Sequence, residues 1–576
     1  MESNPEMAAV ATQSNLRTGL FHPQFLIDTD TIRNHPKSNA LNKTSVSNRH
    51  KSTLFPHASK WCLILVVAAI CARGSFAQTA AHPPAAPNVT TGEARASKQL
   101  DAARENTPAL YAFLYRMPKG ADLHVHLSGA VYAETFVRDA GQDQLCVDPV
   151  ALAFIKPGAN GCLSNSVPAI QVPPNQHLYD ELIDSFSMRG WVPTPGVTGH
   201  DHFFDTFAKF SGTDPRHVGE WIDEVANRAA SQNEQYLELM DTPDFTHAAL
   251  LSRQVAWNND LAAYRNALLA AGLRDEIPID RARYDRAEAT RNELEHCGQA
   301  DAAIACKVKV RYLYQILRGY SKQQVFAQTL LGFEVASADP RIVGINYVMP
   351  EDGFTSMADY ALHMQIVAFM HSVYPKIHIS LHAGELAPGL VTYEGLCCHI
   401  RLAVKQAQAE RIGHGVDIMY ENDPKGLLRD MAANHVMVEI NLTSNDVILG
   451  VSGKDHPFPI YRQFGVPVAL STDDEGVSRI NLTHEYVRAV QTYDLHYSDL
   501  KTMVRESIEH AFLPGASIWD TPEGFGHPVT ACAQDPLGAE KPSDSCSSFL
   551  KQNEKANEQW QLESRFRVFE SSTANP

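Results

Sequence analysis

The chain reads as an α/β protein built on a (β/α)8 barrel of the TIM type, with a long insertion between its first two strands. Three observations predict this. Eight short runs rich in β-branched and aromatic residues stand between glycine or polar residues, at about 121–127, 236–240, 308–316, 342–348, 376–382, 411–416, 436–442 and 466–472. The last six begin about 25 to 35 residues apart, which is room for one strand and one helix per unit. Four segments able to do chemistry, His124-Val125-His126, His382-Ala383-Gly384-Glu385, Gly413-His414-Gly415 and Thr472-Asp473-Asp474, each lie at the end of such a run. A parallel barrel gathers strand ends at one mouth, where a metal ion can be held. A doubly wound open sheet is the alternative, but no Gly-x-Gly-x-x-Gly follows a strand to support it.

Residues 1–60 are polar, broken by proline and without an apolar period, and read as a disordered extension or the product of a mis-assigned start codon. Lys60 then precedes an apolar run from Trp61 to Ala72. That run falls short of the roughly 20 residues a membrane span needs, and has the length of a signal-peptide core. Ser75-Phe76-Ala77 supplies small residues for cleavage, so residues 61–77 predict export to a periplasm or the extracellular space. An N-terminal anchor or buried helix is the alternative. Residues 78–106 read as a proline-rich linker and N-terminal segment.

The barrel itself is expected over 107–515, with the insertion at about 130–230. So long a connection, containing Pro173-Pro174 and Pro193-Thr194-Pro195-Gly196, suits a lid or an inserted element. Within it Phe203, Phe207 and Phe210 share one helix face, which is either ordinary packing or an apolar wall over the barrel mouth. Amphipathic stretches such as Tyr360–Val373 and Pro424–Asn434 fill the gaps between strands, and residues 516–576 read as a peripheral tail.

Of the 10 cysteines, eight follow the expected cleavage point, in sequence-near pairs Cys146/Cys162, Cys297/Cys306 and Cys532/Cys546 plus the adjacent Cys397 and Cys398. In an oxidising compartment the three spaced pairs can staple loops, with free buried thiols as the alternative. No Cys-x-x-Cys occurs, which argues against a cysteine-rich zinc site. The formal charge of −17 and the lack of a long basic run exclude a nucleic-acid polymer as partner and favour a small molecule.

Positions i and i+2 of a strand face the same way, so His124 and His126 act together. One such pair is weak evidence in a chain with 25 histidines. His200-Asp201-His202 repeats the pattern, but it opens a helix after a Pro/Gly loop. It reads as a helix cap at Asp201 and not as a ligand pair. Three imidazoles and a carboxylate from His124, His126, His382 and Asp473 suit zinc, with room for a bound water.

Met117 to Leu127, Ser-Leu-His-Ala-Gly-Glu at 380–385, Arg411-Ile412-Gly413-His414-Gly415 and Ser471-Thr472-Asp473-Asp474 together resemble the adenosine deaminase family, over about 107–515. The insertion, cysteines and export signal are similar to its secreted, growth-factor-related branch. The resemblance implies one zinc ion per chain on His124, His126, His382 and Asp473. It further implies Glu385 as proton donor to the purine ring, His414 orienting the water or taking its proton, and Asp474 binding the base. The implied reaction is hydrolysis of the 6-amino group of adenosine or deoxyadenosine to inosine or deoxyinosine plus ammonia.

The chain departs from the family pattern around the substrate. Ser128 stands where an aspartate usually touches ribose. Met349-Pro350-Glu351 replaces a Gly-Asp-Glu run, losing an N–H at Pro350 and adding bulk at Met349. Glu475 stands where proline is usual. Substrate contacts are therefore expected from Ser128, Met349, Phe203 and Phe207. Alternatives are another 6-aminopurine (adenine, a modified adenosine, or AMP, for which Arg479 is the nearby cation) and a silent purine-binding protein. A homodimer is compatible with the sequence and not specified by it.

Overall fold

A computed structural model describes residues 90–573. The expected N-terminal extension, the apolar run and cleavage site at 61–77, and the linker up to residue 89 lie outside the described residues. Contacts divide the chain at Pro83/Pro84, and the described residues all belong to the second unit.

Eight strands form one parallel sheet in sequence order: β1 (Gly120–His126), β2 (Glu234–Asp241), β3 (Lys309–Leu317), β4 (Ile342–Val348), β5 (His378–Ala383), β6 (Arg411–His414), β7 (Met437–Ile440) and β8 (Val468–Leu470). Each coincides with one of the eight apolar runs. Parallel strands covered by helices are buried on both faces, and β1 and β2 are buried at every position. The sheet closes through residue 473. The His126 N–H donates to the Asp473 carbonyl (2.9 Å) and the Asp473 N–H to the His124 carbonyl (2.8 Å). Thr472 adds its N–H and hydroxyl to the buried Asp122 carboxylate (3.1 and 2.7 Å).

The last three strands are shorter than the runs that predict them, because the backbone turns out of the sheet at their ends. His414 (φ 68°), Gly415 (φ 59°) and Asp473 (φ 62°) occupy the left-handed region, which ends extended pairing. Asn441 leads at once into the helix Leu442–Leu449.

The insertion after β1 has its own small core, in which Phe136, Leu182, Phe186, Phe203 and Phe210 pack together. It contains helices Ala133–Gln142, Gln176–Ser185 and Gly199–Lys209 and a three-stranded antiparallel sheet of very short strands, Cys146–Asp148, Ala153–Ile155 and Val167–Pro168. The Cys146–Cys162 disulfide ties this sheet to its loop. Cys297–Cys306 and Cys532–Cys546 are bonded too, as is the adjacent pair Cys397–Cys398.

The cap of helix Gly199–Lys209 differs from expectation. Thr198 is the N-cap, and Asp201 sits three residues in, its carboxylate accepting from the cap's N–H in a capping box. Residues 516–573 do more than trail over the surface: the helix Glu554–Ser572 places Leu562, Phe566 and Phe569 in the main core. Among the described residues no helix is long and apolar enough to cross a membrane.

Candidate active site

The C-terminal ends of β1, β5, β6 and β8 bring His124, His126, His382, His414 and Asp473 to one point, all of them buried. His126 Nε2 lies 3.1 Å from His382 Nε2 and 3.1 Å from Asp473 Oδ1, and His124 Nε2 is 3.4 Å from that oxygen. One donor atom each from His124, His382, His414 and Asp473 lie within 4.8 Å of one another, and His126 forms such a group with Asp473 and Asp474.

The three rings assigned as ligands share one arrangement. His124 Nδ1–H donates to Glu439 Oε2 (2.6 Å), His126 Nδ1–H to Gln315 Oε1 (2.9 Å) and His382 Nδ1–H to Asn346 Oδ1 (2.6 Å). With the proton committed to Nδ1, each Nε2 presents a lone pair, and the lone pairs face the same small volume. His124 Nε2 is buried with no hydrogen-bond partner among the described residues. Imidazole nitrogens crowded around a carboxylate in this way fit a borderline divalent cation, and nothing in the donor set argues against one.

The surrounding charges keep this geometry in place. Burial alone would push the Glu439 carboxyl up, but the Arg411 guanidinium (2.7 Å) and the His124 hydrogen bond outweigh it and hold it below the usual range. Glu439 thus stays an anion that fixes His124. Arg411 also pairs with Glu238 (2.6 Å), a fully buried tie between β2, β6 and β7 inside the barrel. Burial likewise opposes ionisation of Asp473, yet the His124 and His126 rings beside it hold it well below the ordinary value.

Glu385 follows β5 on a turn that Gly384 makes with φ 78°. Its carboxyl is 7% exposed and lies 3.6 Å from His414 Nε2. Burial, then the charges of Asp473 and Glu351, push it well above its ordinary value, which favours the protonated form. The backbone under it is gripped by Glu351, whose two oxygens accept the N–H groups of Gly384 (3.0 Å) and Glu385 (2.9 Å) while His399 Nδ1–H donates to it at 2.5 Å. Burial pushes Glu351 up, but His399 and Arg318 overcome this and hold it at about 2. Asp474 is pushed well above its ordinary value by burial, with Asp473 adding to it and His126 opposing. Gly129 lies directly against it: a Cβ there would overlap Asp474 Oδ1.

A cavity of about 740 Å³ opens over this centre. His126, His382, Glu385, Asp473 and Asp474 form its floor, with Ser128, Met349, Phe203 and Phe207 on its walls. His124 and His414 lie beneath. The insertion's phenylalanines therefore serve both readings, since Phe203 and Phe210 are buried in its core and also line the cavity. Met349 holds φ 87°, a left-handed conformation that a glycine would adopt without strain. Glu351 faces away from the cavity, and Glu475 pairs with Arg228 (2.8 Å). Arg479 is bound by both its Nη atoms to Glu134 (2.6 and 2.9 Å) and does not line the cavity.

Sequence reasoning overlooked Gln315, Asn346, Glu439 and Arg411. Their signal was present: polar residues at buried positions of the barrel strands have to be bonded to something inside.

Adenosine deaminases of Shewanella loihica and Clostridium acetobutylicum are 35% and 33% identical over 136 and 137 residues, 23% and 24% of this chain. The chain spans only 38% of the length of each of these relatives. Solved structures with a similar trace include an adenine deaminase of Arthrobacter aurescens (19% identity, TM-score 0.45, 69% of this chain and 94% of that one). An N6-mAMP deaminase of Arabidopsis matches at 20% identity and TM-score 0.45, over 70% of this chain and 95% of that one. A family model described as adenosine deaminase matches residues 222–517, just over half of the 576. The chain belongs to the adenosine deaminase family.

Proposed function

We propose that the protein is a zinc-dependent hydrolase that removes the 6-amino group of adenosine or deoxyadenosine, giving inosine or deoxyinosine and ammonia. The observation that carries this is the convergence of three imidazole Nε2 atoms and a carboxylate beside the buried carboxyl of Glu385 at the floor of the cavity. His124, His126, His382 and Asp473 would hold the ion. When bound, such an ion makes a coordinated water acidic enough to act as nucleophile near neutral pH.

The chain's own residues account for the rest. Glu385, protonated, is suited to give its proton to ring N1, which turns the purine ring into an electron sink at C6. Asp474, held protonated, can donate to N7 and orient the base. His414 Nε2 reaches the side of the site where the attacking oxygen adds to C6. As the C6–O bond forms and the C6–N bond breaks, one proton of the attacking water passes to the amine, which leaves as ammonia, and the other restores Glu385. The aromatic wall from the insertion covers the mouth and excludes bulk water.

A nucleoside is favoured over AMP because, among the described residues, no Lys or Arg lines the cavity to meet a phosphate. Export is part of the same reading. It is supported by three sequence-spaced disulfides, which persist in an oxidising compartment, and by the apolar run at 61–72.

Adenosine added to purified protein is expected to give inosine, followed by the ultraviolet shift. A panel of adenosine, deoxyadenosine, adenine and AMP then ranks substrates. Faster turnover of AMP than of adenosine would overturn the nucleoside assignment, and no turnover of any of the four would overturn the enzyme reading.

A further inference from the structure

His414 differs from the three ligand rings in what holds its Nδ1. That nitrogen faces the Asn445 side-chain amide at 2.8 Å, and the hydrogen bonds behind Asn445 run in one direction. They start at the Phe458 backbone N–H, a donor that cannot be reversed, which donates to His456 Nδ1 (3.1 Å). Burial, reinforced by the Arg488 charge, lowers His456 to about 4, so near neutrality only one of its nitrogens carries a proton. With Nδ1 accepting, that proton is on Nε2, which donates to Asn445 Oδ1 (3.0 Å). The amide's orientation is thereby set, and Nδ2 is left to donate to His414 Nδ1. Asn441 Nδ2 approaches the same nitrogen at 3.4 Å.

All three members are shielded from solvent: His414 and Asn445 are 0% exposed and His456 is 2% exposed. Water therefore does not compete for the relay. An imidazole whose Nδ1 accepts a hydrogen bond has its proton on Nε2. This atom has no hydrogen-bond partner among the described residues and sits 3.6 Å from Glu385 Oε1 and 3.8 Å from Asp473 Oδ2.

We propose that Asn445 and His456 are positioning residues that fix His414 as the Nε2–H tautomer, making it a hydrogen-bond donor to the oxygen attacking C6 and not the base that deprotonates it. The tautomer stands on the relay alone; its catalytic meaning rests on the deaminase reading. The same assignment removes His414 from the metal ligands, because Nε2 has no lone pair to offer. The donor would stabilise negative charge that grows on the oxygen as the C6–O bond forms.

Two experiments on the full chain decide it. Neutron diffraction from deuterium-exchanged crystals should show deuterium on His414 Nε2, none on its Nδ1, and Asn445 Nδ2 turned toward the ring. Deuterium on Nδ1 would overturn the proposal. In kinetics, Asn445→Asp replaces the donor with an acceptor and draws the proton to Nδ1. It should lower kcat about ten-fold or more with KM within about two-fold and zinc content unchanged. His456→Gln, whose amide nitrogen stands where Nε2 stood, should keep most of kcat, whereas His456→Leu should not. Wild-type kcat in both Asn445→Asp and His456→Leu would contradict the positioning role. If the wild-type protein converts no 6-aminopurine, the deaminase reading fails, while the deuterium positions still decide the tautomer.

Discussion

Glu385 carries the proton balance of the proposed reaction, and its environment makes the prediction directional. Burial and the charges of Asp473 and Glu351 raise it, so the donating form exists below its pKa and disappears as pH rises through it. His414, held at about 3, contributes no loss until far below neutrality. The kcat–pH profile should therefore fall on its alkaline side, and a kcat that climbed steadily between about pH 6 and 9 would contradict this. Glu385→Gln keeps the shape and removes the acid, and should cost about 10²- to 10⁴-fold in kcat at unchanged zinc content. The partners of the ligand rings are open to the same kind of test. Asn346→Ala frees the His382 Nδ1–H and should weaken zinc affinity about 10- to 100-fold by competition with a chelating dye. At this scale the first layer of residues was legible because imidazole and carboxylate recur at strand ends. The layer behind it was not, since an Asn or Glu inside a strand announces a bond without naming its partner.

At the scale of elements, every barrel strand was legible as a β-branched run, and the helices Phe354–Val373 and Pro424–Ala433 as amphipathic stretches. The strand ends were not. β6 and β8 stop where His414 and Asp473 turn left-handed, a property of backbone sterics that composition does not encode. Those turns carry the site residues out of the sheet, so local strain accompanies function here. The insertion was legible only as length, because strands of two or three residues show no alternation. Its disulfide offers a measurement. Cys146 and Cys162 close a loop of 16 residues, so removing both thiols as serines should cost about 3 kcal/mol of stability. The insertion carries the aromatic wall, and the double variant should therefore raise KM for adenosine more than it lowers kcat. An unchanged KM together with unchanged thermal stability would show that the bond holds nothing of consequence.

For the whole molecule, closure of the barrel and assembly of the metal centre are one event. The backbone pair that joins residue 473 to β1 also delivers the Asp473 carboxylate to His124 and His126. Metal binding should therefore stabilise the entire unit. At about a thousand-fold excess over Kd, linkage predicts about 4 kcal/mol, seen as a chelator-dependent fall in Tm that zinc restores. A Tm indifferent to chelator would show that the ion does not belong to the folded core. The fold as a whole was legible because eight evenly spaced runs admit few topologies. The family pattern was legible because four short motifs coincide with four strand ends.

The proposed chemistry requires three histidines and an aspartate from distant parts of the chain to share one ion. Anomalous diffraction at the zinc edge from crystals of the zinc-supplied protein tests this most directly. It should show a single peak within about 2.0–2.3 Å of Nε2 of His124, His126 and His382 and of an Asp473 carboxylate oxygen. No peak at that position, or zinc bound elsewhere with these four side chains uncoordinated, would contradict it.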